Sequence, residues 1–188
     1  MELTVIIPVL NEEKTIAEVI QQVRDTGLVN EIMVVDDGST DGTKEILRQY
    51  ENDPLVTLIF SPKNEGKGAA VRKGINAARS RYAIIQDADL EYDPKFYRVL
   101  MEPILEGKAD IVYGSRFLGA ARRPILFWNM VANKILTCMT NILYNNILSD
   151  METGYKMFEV DLIRQIPLHA KGFDFEPEFT AKVLRRIY

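Results

Sequence analysis

The sequence predicts an α/β protein in which helices flank a mostly parallel central sheet. Apolar runs of strand length alternate with segments whose apolar residues recur at helical spacing, and the connections between them are short and polar. A third observation adds direction: Glu12, Asp37, Asp87 and Asp89 each stand just after a strand-like run. In an open parallel sheet such positions gather along one edge, the edge at which ligands bind.

The elements follow in order. Leu3 to Val9 is a buried-strand pattern, and after Asn11-Glu12-Glu13 the residues Ile16, Val19, Ile20 and Val23 have helical spacing. Glu31 to Val35 repeats the theme and ends in Asp36-Asp37-Gly38-Ser39-Thr40-Asp41-Gly42, with a helix predicted from Thr43 to Tyr50. Leu55 to Phe60 reads as a third strand and Gly68 to Ala78 as a third helix. The run Arg81 to Gln86 leads into Asp87-Ala88-Asp89, followed by a helix from Pro94 to Leu105 and a fifth strand from Asp110 to Gly114. Ser115 to Gly119 is a loop. Pro124 to Leu148 is apolar and helical in spacing, and its face of Ile125, Trp128, Val131, Ile135, Cys138 or Met139 and Ile142 is expected to pack on the sheet. The alternative is a lipid surface, which would suit Trp128, Tyr144 and Lys134. Asp150 to Phe158 reads as a polar loop entering a strand, with helices at Val160 to Ile166 and Glu176 to Arg186.

Bulk properties narrow the function classes. A chain of 188 residues that is 47% hydrophobic and 27% charged fits one ordinary globular domain with a real core. A net charge of -4 does not suggest a nucleic-acid partner, although basic residues cluster at Arg72-Lys73, Arg79 and Arg81 and again at Arg116, Arg122 and Arg123. Cys138 is the lone cysteine, so neither a disulfide framework nor a cysteine zinc site is expected, and a reducing, cytosolic setting follows. Met1-Glu2 leads straight into a strand-like run, without the pattern of a signal peptide. The longest apolar stretch is broken by Asn129, Asn133, Lys134, Asn141, Asn145 and Asn146, which argues against a membrane span. The lone histidine, His169, follows Pro167 in a loop and reads as a surface residue.

The chemistry concentrates at Asp87, Asp89 and Glu91. Three acids within five residues at a strand end repel one another unless something positive sits between them, and oxygen-only ligands suit a hard cation such as Mg2+ or Mn2+. Gly66-Lys67-Gly68 precedes a helix, and Arg72 lies one turn into it, so backbone N–H groups there could bind phosphate. Neither the Walker A spacing nor the dinucleotide fingerprint is present. A nucleotide diphosphate carrying a leaving group unites these features.

Val5-Ile6-Ile7-Pro8-Val9-Leu10-Asn11-Glu12, Val34-Val35-Asp36-Asp37-Gly38-Ser39-Thr40-Asp41-Gly42-Thr43, Gly66-Lys67-Gly68, Asp87-Ala88-Asp89 and Gly114-Ser115-Arg116-Phe117 resemble inverting family 2 glycosyltransferases of the GT-A fold. Within that family the likeness is to dolichyl- and polyprenyl-phosphate sugar synthases, and it runs over essentially the whole chain. The resemblance implies a GDP- or UDP-linked sugar donor, a Mg2+ or Mn2+ ion, and a polyprenyl-phosphate acceptor at the cytosolic membrane face. It implies one catalytic domain over 1–188, with a donor half at 1–115 and an acceptor half at 116–188. Glu12 and Asp37 would hold ribose and base, with Pro8, Lys67, Asp87 and Ala88 also on the donor and Arg72 approaching the diphosphate. Asp87 and Asp89 would form the DxD site, and Glu91 would join Asp89 on the metal; relatives often carry Gln there, so this ligand set is more acidic. Arg116 would take the acceptor phosphate. A second acceptor arginine aligns with Asn129, and Arg122, Arg123 or Lys134 would substitute for it.

An ionised lipid phosphate needs no strong general base, whereas a sugar hydroxyl would, and Asp150 is the expected base in that case. Transfer to a glycan or soluble hydroxyl is thus the rival enzyme reading, and a noncatalytic nucleotide-sugar-binding module is the rival of another class. The stop at Arg185-Arg186-Ile187-Tyr188, at the end of a predicted helix, predicts a catalytic segment of a longer protein or a short natural form. The sequence leaves the base, the sugar and the oligomeric state open.

Overall fold

The computed structural model describes residues 2–117 and 126–187. Six strands form one sheet: β1 (Leu3–Val9), β2 (Glu31–Asp36), β3 (Val56–Phe60), β4 (Tyr82–Ile85), β5 (Ile111–Tyr113) and β6 (Lys156–Glu159), in the spatial order β3-β2-β1-β4-β6-β5. β1 pairs in parallel with both β2 and β4, and β2 with β3, while β6 runs antiparallel to β4 and to β5. The other five strands therefore share one direction, and their carboxyl ends lie along one edge. The chain reverses its order of travel at β1, whose two neighbours carry it to opposite sides, and this switch point opens the crevice.

Burial on both faces explains the continuous apolar runs of the inner strands. Every residue of β1 is buried, and the pleat sorts them: Leu3, Val5, Ile7 and Val9 face one core, Ile6 the other. The first core takes α1 (Ile16–Asp25), α2 (Thr43–Arg48) and α4 (Tyr97–Leu105). The second takes α3 (Lys67–Ala77), α6 (Val160–Arg164) and α7 (Phe175–Ile187), with Phe158, Phe175 and Phe179 stacked in tilted pairs. Pro94–Phe96 forms a 3-10 turn ahead of α4, capped by the Asp93 carboxylate, which accepts a bond from the Lys95 N–H.

The long helix α5 (Phe127–Tyr144) corrects the expectation that its apolar face packs on the sheet. Its two buried residues are Asn133 and Thr137, while Trp128 and Ile142 are 76% and 75% exposed and Phe127, Ile135, Met139 and Leu143 are also exposed. The helical period was right and the direction of the face was not. The inward side is polar because it meets Asp150: Asn133 donates to the Asp150 carboxylate at 2.7 Å and accepts from the Thr137 hydroxyl at 2.9 Å. Asn145 closes the helix in the left-handed conformation. Ile125, expected on this face, lies outside the described residues, as do Arg122 and Arg123. Among the described residues no helix is long and apolar enough to cross a membrane.

Candidate functional site

A cleft of about 970 Å³ opens at the carboxyl ends of the strands. Pro8 and Glu12 after β1, Asp37 after β2 and Asp87, Ala88, Asp89 and Glu91 after β4 all line it, as do Lys67 and Arg116. These are the donor, metal and acceptor candidates that the sequence singled out, brought together by the shared strand direction.

Backbone geometry builds the acidic end. Gln86 is fully buried, donating to the carbonyls of Asp87 and Tyr92 and accepting from the Tyr97 hydroxyl at 2.9 Å. Leu90 adopts a φ of 61°, left-handed backbone that a leucine rarely accepts, and the Asp89 carboxylate takes the Glu91 N–H at 2.9 Å across it. The tight turn sets Asp89 and Glu91 on the same wall. Burial pushes the Glu91 carboxyl above its ordinary value, Arg116 pulls it down, and Asp89, Asp87 and Asp150 push it up further. Negative charge crowded in this way fits a cation. Among the described residues no three His, Cys, Asp or Glu side chains converge as a metal cage. Two carboxylates, with the remaining positions left to diphosphate oxygens and water, match the usual surroundings of a Mg2+-type ion at a phosphate site.

A second wall of the cleft is the N-terminus of α3, where Gly66 and Lys67 line it. Gly66 has a φ of +99°, and a Cβ there would stand 2.2 Å from the Lys171 carbonyl oxygen; at Gly68 it would stand 2.6 Å from that of Ala170. Only glycine lets the 170–172 loop approach this closely. Asp37 accepts the N–H groups of Glu65 at 3.1 Å and Gly66 at 2.7 Å, so its carboxylate also holds this turn. Lys67 reaches back across the cleft floor, its Nζ lying 2.8 Å from Asp87 Oδ1 and 3.0 Å from Glu176 Oε1. Burial disfavours its charge, yet the two carboxylates outweigh burial and hold it protonated well past its ordinary value. Arg72 does not line the cleft; its guanidinium donates to the Ala170 carbonyl and braces the same loop.

Across the cleft, Arg116 is fixed by Asp150. Its Nε and one terminal nitrogen reach the two carboxylate oxygens at 2.8 and 2.9 Å, and its backbone N–H adds a third bond at 3.0 Å. The Asp150 side chain is wholly buried. Burial by itself raises the Asp150 carboxyl, but the bonds from Arg116 and Asn133 outweigh it and lower the group below its ordinary value. A carboxylate so placed orients a guanidinium. It is a poor proton acceptor, so the base role expected of Asp150 has no geometric support. Lys134 also stands off the cleft, over the Phe117 ring at 4.3 Å. His169 is exposed, as expected.

Four lining residues carried no sequence signal. Tyr92 stacks on Tyr155 at 4.7 Å and its hydroxyl accepts the Gly154 N–H at 3.0 Å. Glu152 has a buried Oε1 without a hydrogen-bond partner, and burial raises its carboxyl. Glu176 opens α7 yet bonds to Lys67 on α3, and Phe173 is exposed at the rim. Only contacts between distant segments reveal them.

The sheet order, the cleft at the carboxyl ends of the strands and the acidic strand end together make up a GT-A architecture. The chain belongs to glycosyl transferase family 2, whose model matches residues 4–166. It is 30% identical over 183 residues to glycosyltransferase AglJ of Haloferax volcanii, covering 97% of this chain and 58% of that one. It is 28% identical over 194 residues to dodecaprenyl-phosphate galacturonate synthase of Rhizobium johnstonii, covering 98% and 55%. Among solved structures, glucosyl-3-phosphoglycerate synthase from Mycobacterium tuberculosis, crystallised with Mn2+, UDP and phosphoglyceric acid, matches with a TM-score of 0.78 at 24% identity over 98% of this chain and 64% of that one. At that identity the likeness establishes the GT-A fold. The chain thus spans somewhat over half the length of the relatives it matches.

Proposed function

We propose that this chain is the catalytic portion of a metal-dependent inverting transferase that moves a sugar from a nucleoside-diphosphate donor to a polyprenyl phosphate. One observation carries the choice of acceptor. Arg116, locked by buried Asp150, faces the cleft from the same side as α5, and cleft-lining Leu126 and Leu136 continue into the helix's exposed apolar face. An anion site that borders an uncovered apolar strip suits a charged head on a long hydrocarbon tail. The name of the Rhizobium relative agrees with that reading.

Glu12, Asp37 and Ala88 bound the nucleoside end, and Lys67 with the α3 N-terminus receives the diphosphate. Asp89 and Glu91 would hold Mg2+ or Mn2+, which would supply charge neutralisation for the departing nucleoside diphosphate. Arg116 brings the acceptor phosphate to the far side of the sugar against the repulsion of two anions, and attack from that side inverts the anomeric carbon. The exposed α5 face, with Trp128 and Lys134, would rest on the cytosolic membrane surface, and Arg122 and Arg123 belong to the same proposed acceptor side.

A second reading has one observation in its favour. Glu152 lines the cleft with a raised carboxyl whose buried Oε1 has no hydrogen-bond partner, the properties of a general base for a hydroxyl acceptor once a side-chain rotation turns an oxygen to the cleft. Glu152→Gln separates the two: a lipid-phosphate transferase keeps most of its rate, and a hydroxyl transferase loses about a hundredfold or more. The donor and metal assignment is tested by thermal shift with GDP and UDP, each with Mg2+ and with Mn2+. At a hundredfold excess over Kd the right pair raises the melting temperature by roughly 5–10 °C. Asp89→Ala should abolish that shift while the unliganded melting temperature stays within a few degrees; an unchanged shift removes the DxD assignment.

A further inference from the structure

Beneath the floor of the cleft lies a charged side chain that the proposed reaction does not use. Lys156, the first residue of β6, is 0% exposed. Its Nζ donates to the Thr153 carbonyl and stands 5.3 Å from the centroid of the Tyr113 ring. An ammonium in such a place is costly unless opposite charge compensates it. The compensation comes from several elements: Glu176 at the start of α7 most strongly, then Asp87 after β4 and Asp150 in the loop before β6. Glu152 faces it as well, and Lys67 on α3 opposes it. Burial nevertheless prevails and lowers the group to about 8.

Lys67 draws on the same carboxylates, bridging Asp87 and Glu176. The Asp87 carboxylate packs against Gly154, where a Cβ would stand 2.2 Å from its Oδ2, and the Lys156 ammonium is bonded to the carbonyl of the preceding residue, Thr153, so the four groups form one cluster of two amines and two carboxylates. It is neutral when both lysines are protonated and carries one negative charge when Lys156 is not. That extra charge would sit directly under the wall where an anionic diphosphate has to settle, and Lys67 would be left as the lone cation for two carboxylates.

We propose that Lys156 is a positioning residue for the donor: from below the cleft floor it offsets the Glu176 carboxylate, so that Lys67 can hold Asp87 and still present positive charge to the diphosphate. The inference rests on the donor reading above. It assigns the nucleotide site a dependence on a residue that never touches the nucleotide.

Calorimetric titration of GDP and UDP with Mg2+ tests it on the whole chain, at pH 7 and at pH 9, for the wild type, Lys156→Met and Lys156→Arg. At pH 7 Lys156→Met should weaken nucleotide binding by about tenfold, as expected of one uncompensated charge at close range. The wild type should lose a similar factor between pH 7 and 9, because Lys156 gives up its proton there. Lys156→Met and Lys156→Arg, which carry no titrating group at that position, should each bind equally well at both pH values. A purely structural role for Lys156 would not produce that flattening. Wild-type binding that is unchanged from pH 7 to 9, or a Lys156→Met chain that binds as tightly as the wild type at pH 7, overturns the inference and leaves the donor reading standing. Should Lys156→Met fail to fold, the contrast between wild type and Lys156→Arg decides. Failure of the wild type to bind either nucleotide at both pH values takes down the donor reading together with the inference.

Discussion

The two helices that wall the cleft obey opposite rules. α3 buries Ala70, Val71 and Ile75 against the sheet and brings its N-terminus, at Gly66 and Lys67, to the cleft, as a helix of an α/β layer should. α5 turns Asn133 and Thr137 inward and leaves Trp128, Ile135, Met139 and Ile142 in the open. The first wall is held by apolar burial, the second by a polar network centred on Asp150. The difference teaches that the α3 wall is built as part of the core, whereas the α5 wall is built on buried polar contacts and leaves its apolar residues at the surface.

The largest effect should come from breaking the polar wall at its hub. Arg116→Ala leaves the wholly buried Asp150 carboxylate without its bidentate partner, and should cost about 3–5 kcal/mol in denaturant titration. The contrast in burial is tested by a matched pair: Ile75→Ala on α3 should cost about 3 kcal/mol, while Ile142→Ala on α5 should change stability by less than about 0.5 kcal/mol. Equal costs would dissolve the distinction. Asn133→Ala, which removes one bond to Asp150 and one from Thr137, should cost about 1–2 kcal/mol.

The smallest effect is a pH signature. Because the folded state lowers the Asp150 carboxyl from its ordinary 3.8, its contribution is fully present above that value and is lost as the pH falls through the lower, folded one. Acid titration followed by circular dichroism should therefore show the wild type keeping this contribution to lower pH than Arg116→Ala, in which much of the downward pull is gone. Coincident acid midpoints would show that Arg116 does not govern this carboxyl.

The α3 side was legible in the sequence and the α5 side was not, for a physical reason. Strands buried on both faces, such as Leu3–Val9, must read as unbroken apolar runs, and Asp37, Asp87 and Asp89 announce the end of such runs by their charge. A helical period reports that one side differs from the other without saying which is inside, so Trp128 and Ile142 were assigned to the sheet. Asp150 was visible as an acid, but its role depends on Arg116 and Asn133, which are far from it in sequence. Lys156 and Glu176 each look like an ordinary residue of a strand and of a helix start; only folding sets them around Lys67.

The placement of β6 has a consequence for how the molecule is made. Residues 156–159 lie between β4 and β5, so β5, although synthesised long before, has no strand to pair with until β6 arrives. The later helix α7 delivers Glu176 to Lys67. On the ribosome, the first three strands and β4 can assemble while β5 and α5 wait, with α5's apolar residues exposed throughout. Until residues 156–159 are made, the sheet edge beside β4 has no partner strand and the apolar face of α5 has nothing over it, which makes that interval the one most open to edge-to-edge association.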